Sequence, residues 1–181
     1  MIHPYAYRAG LIAAGISVVW TIFSYLIGIE LFTNWWLSII ISVGIIVYLI
    51  ISLKNIRTYF GGYITFANAF LNFLVMIAIF VLISQSIYYL LILVIDPEFG
   101  QAVTDVSIEK IIAMMEGFGA PEVEIEKALV GMEEEFENQA TFLGVIMSMF
   151  KGIGFMAVIG LIVAAIIKKN PPVFENAETI D

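Results

Sequence analysis

Cysteine is absent from the 181 residues, which excludes disulfides, thiol catalysis and thiolate metal sites in any compartment. Histidine occurs once, as His3, so a histidine-rich metal site cannot be assembled. Charge is scarce as well: Asp, Glu, Lys and Arg make up 13% of the chain against 61% hydrophobic side chains, and the mean hydropathy is +1.00. So little polar surface cannot coat a water-soluble globule, and lipid must form part of the solvent. The G-x-S-x-G, H-E-x-x-H and G-x-x-x-x-G-K-[ST] signatures are missing, and no set of histidine and carboxylates is embedded in the apolar runs. No enzymatic activity, no cofactor, no metal and no nucleic-acid partner is expected.

What is present is a series of long uncharged runs. A bilayer core about 30 Å thick needs roughly 20 apolar residues of helix, at about 1.5 Å each. Four segments qualify. The first, Ala9 to Ile29, carries no charge before Glu30 and has no A-x-A-like cleavage site after it, so it reads as a retained span rather than a signal peptide. The second, Trp35 to Leu53, ends at Lys54 and places Trp35 and Trp36 where an interfacial aromatic belt would lie. The third lies within Thr58 to Ile95, with its helix opening near Phe66 after Gly61-Gly62 and closing at Asp96-Pro97. At roughly 45 Å it exceeds the hydrocarbon thickness, so tilt or protrusion is expected. The fourth runs from about Phe142 to Ile167, stopped by Lys168-Lys169, with Pro171-Pro172 preventing continuation.

Basic residues set the expected orientation. Arg8, Lys54, Arg57, Lys168 and Lys169 fall on one side of a four-span arrangement, whereas the other side holds only Lys110 and Lys127 outside the spans. The expected location is therefore a bacterial inner (cytoplasmic) membrane, multi-pass, with residues 1–95 forming spans one to three, 141–169 the fourth span, and 170–181 a cytoplasmic tail. Between the third and fourth spans, residues 96–140 hold twelve acidic and two basic residues. This stretch is not a plain acidic loop. Ile108, Ile111, Ile112 and Met115 recur at helical spacing after Ser107, a good N-cap, and the pattern stops at Gly117 and Gly119. A second helix opens at Pro121, read as its first helical position, and carries an apolar seam of Ile125, Leu129, Met132 and Phe136. No strong stop follows, so it is expected to run into the fourth span with at most a bend near Gly144. The fold class is thus all-α: a four-helix transmembrane bundle with an extracytoplasmic acidic helical hairpin.

Three pieces of the chain carry a resemblance: GGYITFANAF, the long apolar helix ending in Tyr-Tyr and followed by IDPEF, and GAPEVEIEKAL. In these the chain resembles the bacterial membrane family catalogued as domain of unknown function 4199. The resemblance implies four spans, a G-x-I-x-F element opening the third (Gly62, Ile64, Phe66), and a helical acidic loop with an I-E-K-A-like stretch (Ile125 to Ala128). It implies no activity, because the family has none assigned.

The candidate site residues each have two readings. Lys151, the one charge inside an apolar run, either snorkels to the outer interface or is a buried ligand or ion-path residue. Asn68, Asn72 and Gln85, with Ser84 and Ser86, either hydrogen-bond between helices or line a solute path. Gly10, Ala14, Gly160 and Ala164 form small-xxx-small pairs that pack helices within one subunit or between subunits. Glu133 to Glu135 read as a solvated face, the methionines as adaptable packing, and His3 as an interfacial residue. The preferred function is a non-catalytic scaffold or accessory subunit whose seam and acidic helices meet another membrane protein or a second copy. The alternative is a small oligomeric transporter or channel.

Overall fold

The computed structural model describes residues 1–170, and the tail expected over 170–181, with its Pro171-Pro172 stop, lies outside the described residues apart from Asn170. Seven α-helices make up the described chain: α1 (Pro4–Ile27), α2 (Ile29–Phe32), α3 (Trp35–Tyr59), α4 (Phe66–Leu90), α5 (Pro97–Gly117), α6 (Glu122–Gln139) and α7 (Phe142–Ile167). A π-helical turn, Leu91–Ile95, extends α4, so that four helices are long and apolar enough to cross a bilayer. Their outer faces are apolar too: Leu26, Phe155 and Ile166 are among many large hydrophobic side chains left exposed. In water such a surface would aggregate, so the chain reads as a membrane protein.

The four spans alternate in direction around α4, which packs most extensively on α1, then on α7, and less on α3. Small residues allow this. A methyl group at Gly10 of α1 would sit 2.9 Å from the backbone oxygen of Met76, and one at Gly160 of α7 would sit 2.8 Å from the ring of Phe73. Ala14 and Ala164, one turn on from each glycine, are buried with them. Both small-xxx-small pairs are therefore used inside one chain, against the same central helix. Phe73, Leu49, Leu53, Ile56, Met76 and Ile77 fill the resulting core.

Several boundaries differ from those read in the sequence. α1 begins at Pro4 rather than at Ala9, because His3 caps it: its Nδ1 accepts from the Tyr5 amide at 3.2 Å. It ends at Gly28, whose φ of +129° turns the chain into the single turn of α2. α3 continues past Lys54 and Arg57 to Tyr59, since cations at a helix C-terminus are favourable there rather than helix-breaking. α5 begins at Pro97, not near Ser107. Asp96 is its cap, accepting from the Phe99 amide at 2.9 Å, and Ser107 lies mid-helix donating to the Val103 carbonyl. Pro121 is the cap of α6 rather than its first helical residue. Nor does α6 run into α7: the chain breaks at Ala140-Thr141, where the Thr141 hydroxyl takes the Gly144 amide at 3.0 Å and opens a new helix.

The bundle has two unlike ends. At the basic end, Gly61 and Gly62 adopt φ of +73° and +87°, and Ile64 then exchanges two 2.9 Å backbone hydrogen bonds with Lys169. The Arg57 guanidinium donates to the Ile167 carbonyl at 3.2 Å. The link between α3 and α4 is thereby tied to the residues leaving α7. At the opposite, acidic end lie α2, α5 and α6.

Candidate functional site

The intramembrane polar residues separate into three places. Asn72 is fully buried on α4, and its groups are all engaged: Oδ1 accepts from the His3 amide at 2.8 Å, while Nδ2 donates to the carbonyls of Met1 (3.1 Å) and Asn68 (2.7 Å). Asn68 Oδ1 accepts from the Met1 amino group. These two asparagines clamp the segment before α1 against the start of α4, where His3 also stacks on Tyr59 with centroids 5.0 Å apart. Gln85 is remote from them, near the acidic end. Its Nε2 would touch a methyl group placed on Gly152 at 3.2 Å, and its buried Oε1 has no partner. The shared face of α4 thus holds no continuous polar track from Asn68 to Gln85, because apolar Phe73, Met76, Ile77 and Val81 occupy the turns between.

Lys151 is exposed, and its ammonium donates to Glu135 Oε1 at 3.0 Å, joining α7 to the end of α6. The break at Thr141 makes this possible, since it folds α6 back beside the first turns of α7. Gln139 Nε2 donates to the same carboxylate oxygen at 3.0 Å. Together the Gln139 amide and the Lys151 ammonium hold the Glu135 carboxyl below its usual range. A carboxylate with a lowered folded-state pKa adds stability above the unfolded value, and the contribution is lost as pH falls through the lowered one. Acidification should therefore loosen α6 from α7, read as a rise in the α6–α7 label-to-label distance. Glu135→Gln should flatten that response, and because both partners are exposed the shift should be small.

The acidic end carries most of the remaining chemistry. Asp96 joins three elements: besides capping α5, its Oδ2 accepts from the Tyr25 hydroxyl of α1 at 2.8 Å. Phe99, one turn into α5, packs edge-on against Tyr25 and Phe32 at 4.8 and 5.1 Å. Pro97 lacks an N–H, so it cannot continue the backbone ladder of α4, whose last turn widens to let the Asp96 amide reach Leu91 at 2.9 Å. Gly100 then lies directly on the Ile92 carbonyl. Farther along α5, Lys110 donates to the Thr33 hydroxyl at 2.6 Å and lies 3.7 Å from Glu30. α5 therefore lies across the end of the bundle from α4 to the α2–α3 connection.

Between α5, α6 and the end of α4 is a cavity of about 420 Å³ lined by Tyr88, Tyr89, Val103, Phe136 and Gln139, with the Tyr89 hydroxyl donating to Gln139 Oε1 at 3.3 Å. A second, open groove of about 470 Å³ runs between α5 and α6, with Ile108 and Ile112 as floor and Asp105, Glu109, Glu116 and Glu133 as rim. The seam residues Ile125, Leu129, Met132 and Phe136 are half-buried, on the one face of α6 that is covered at all. Part of the seam is thus spent inside the chain. Among the described residues, no three His, Asp or Glu side chains converge as a metal site would require.

Sequence reading missed Asp96, Tyr25 and Gly100 as the parts that seat α5, although Asp-Pro is a legible cap-and-first-position pair. It also missed the groove, because that depends on which faces of α5 and α6 meet.

No curated protein and no solved structure matches the chain. Residues 8–169 match the family described as "Protein of unknown function (DUF4199)". The three segments noted above now have structural work to do: the glycine pair and Ile64 close the basic end, Asp96 and Pro97 start α5, and Gly119, with φ of +75°, turns the chain toward α6. With the match spanning nearly the whole described chain, this protein belongs to the DUF4199 family.

Proposed function

We propose that the chain is a non-catalytic accessory subunit or scaffold of a bacterial inner-membrane complex, acting through the acidic helices α5 and α6 on the extracytoplasmic side. Arg8, Lys54, Arg57, Lys168 and Lys169 gather at the other end, which supports a cytoplasmic location for both termini. The observation that carries the reading is the groove between α5 and α6: four carboxylates rim an apolar floor, and no ion pair among the described residues involves any of the four. That combination suits a basic, partly apolar surface on another membrane protein or on a second copy. Inside the bundle, by contrast, Asn72 is saturated and Lys151 points to a surface carboxylate.

Native purification followed by mass measurement tests it. The expected result is a defined complex that dissociates when Glu109 and Glu133 are reversed to lysine. A monodisperse monomer that never co-purifies with another protein overturns the reading. A second reading, a small oligomeric transporter or channel, rests on the partnerless buried Oε1 of Gln85. Absence of solute or ion flux in proteoliposomes dismisses it, and a flux unchanged in Gln85→Leu removes Gln85 from the path.

A further inference from the structure

One face of α5 does two jobs in succession. At 100° per residue, Gly100, Val103, Ser107, Ile111, Met114 and Phe118 share a stripe, while Asp105, Glu109 and Glu116 cluster on the far side. The first half of the stripe is turned down onto the bundle. Gly100 and Val103 are buried, and Gly100 touches the end of α4. Ile111 and Met114 then flank Thr33 and Trp35 at the start of α3. From Phe99 to Met114 the helix covers about 22 Å while staying on the bundle end. Besides α6, α5 packs only on the end of α4 and on α2, and on no further span. The stripe nevertheless continues: Met114 is 46% exposed, and Phe118, whose backbone keeps helical angles, is 85% exposed.

What lies below that overhang follows from the depth of its neighbours. Trp35 and Trp36 stack at 4.2 Å on each other, stay half-exposed or more, and open a span, which is the position of an interfacial aromatic belt. A helix that passes Trp35 with the same face turned toward the bundle must turn that face toward the adjacent headgroup layer. Its carboxylates face water, and Lys110 flanks the apolar stripe on the bundle side, as in helices that lie in a membrane interface.

We infer that the C-terminal half of α5 is a membrane-surface anchor, with Met114 and Phe118 seated among the lipid headgroups beside Trp35. The occupant of this face is the bilayer that surrounds the spans, and the inference is independent of any partner in the acidic groove. It also means that α5 lies along the membrane rather than standing away from it.

Because the chain has no cysteine, single substitutions report cleanly. Phe118→Cys, Met114→Cys and, as a water-facing reference, Glu116→Cys would each carry a nitroxide in the full chain reconstituted into phosphatidylcholine–phosphatidylglycerol vesicles. The readout is the ratio of collision with oxygen to collision with a water-soluble nickel chelate. At 118 and 114 that ratio should exceed the value at 116 severalfold and approach that of a label at Trp36→Cys. Equal ratios at 118 and 116 overturn the inference. So does exclusion of both reagents at 118, which would mean that a second copy or another protein covers the face. Phe118 is too exposed for its replacement to remove internal packing, and Met114 provides an independent position on the same stripe.

Discussion

Gly100→Ala should detach α5 from the bundle while leaving the four spans assembled. A methyl group there would lie 2.1 Å from the oxygen and 2.9 Å from the carbon of the Ile92 carbonyl. Both belong to backbone, so no rotamer change relieves the clash and the helix itself must shift. Overpacking of this kind costs about 1–3 kcal/mol, or a roughly five- to 150-fold rise in the population of the opened segment. The measurement is amide exchange or limited proteolysis between residues 97 and 139, with exchange in the spans as the internal reference. Gly131→Ala on α6 is the control. Nothing lies within 4 Å of the methyl it would add, and alanine is the better helix former by up to about 1 kcal/mol, so α6 should open less often. Equal effects at the two glycines would mean that α5 is not held through Gly100.

Asn72→Leu should destabilise the basic end by about 1–2 kcal/mol. The substitution is close in volume, so the cost comes from the hydrogen bonds: the His3 amide and the Met1 carbonyl lose their partner inside a closely packed contact. Side-chain hydrogen bonds within bilayers average less than an orphaned group in a soluble core, about 0.6 kcal/mol each, so the two lost here place the expected cost near the lower end of that range. Equilibrium unfolding in mixed micelles reads the loss. Accelerated cleavage before Pro4 would place the damage at the N-terminal clamp. A variant as stable as the parent, with the N-terminal segment still protected, would show that Asn72 is not the residue holding it.

The contacts that Lys151 and the asparagines make rest on distances that no spacing rule supplies. Asn68 and Asn72 are four apart and obviously share a face, but a path-lining pair and a clamp have the same sequence pattern. Which it is depends on Met1 and His3 folding back onto α4, an approach of residues 69 to 71 positions away in the chain. Lys151 reaches a surface carboxylate only because α6 reverses at Thr141, and that break was illegible: threonine is a weak stop by composition and acts here through its hydroxyl as a cap. The same holds for the start of α5. The apolar spacing of Ile108, Ile111 and Ile112 marks the half that overhangs. Its first turns, by contrast, are built from Glu98, Gly100 and Gln101, which have no apolar period but are held by Asp96, Phe99 and the close seat of Gly100.

Taken alone, the sequence determined that four stretches are long and apolar enough to cross lipid, that the cationic flanks share one end, and that the acidic insertion is helical. Each of these is a local consequence of composition: transfer of a twenty-residue apolar run into hydrocarbon depends only on the run itself. Tertiary structure alone decided that both small-residue pairs serve α4, that Asn72 is a clamp, and that α5 lies across the bundle end with its apolar stripe overhanging Trp35. Those features depend on which faces of distant helices meet, and a glycine or an asparagine carries no record of its neighbour until the chain is packed.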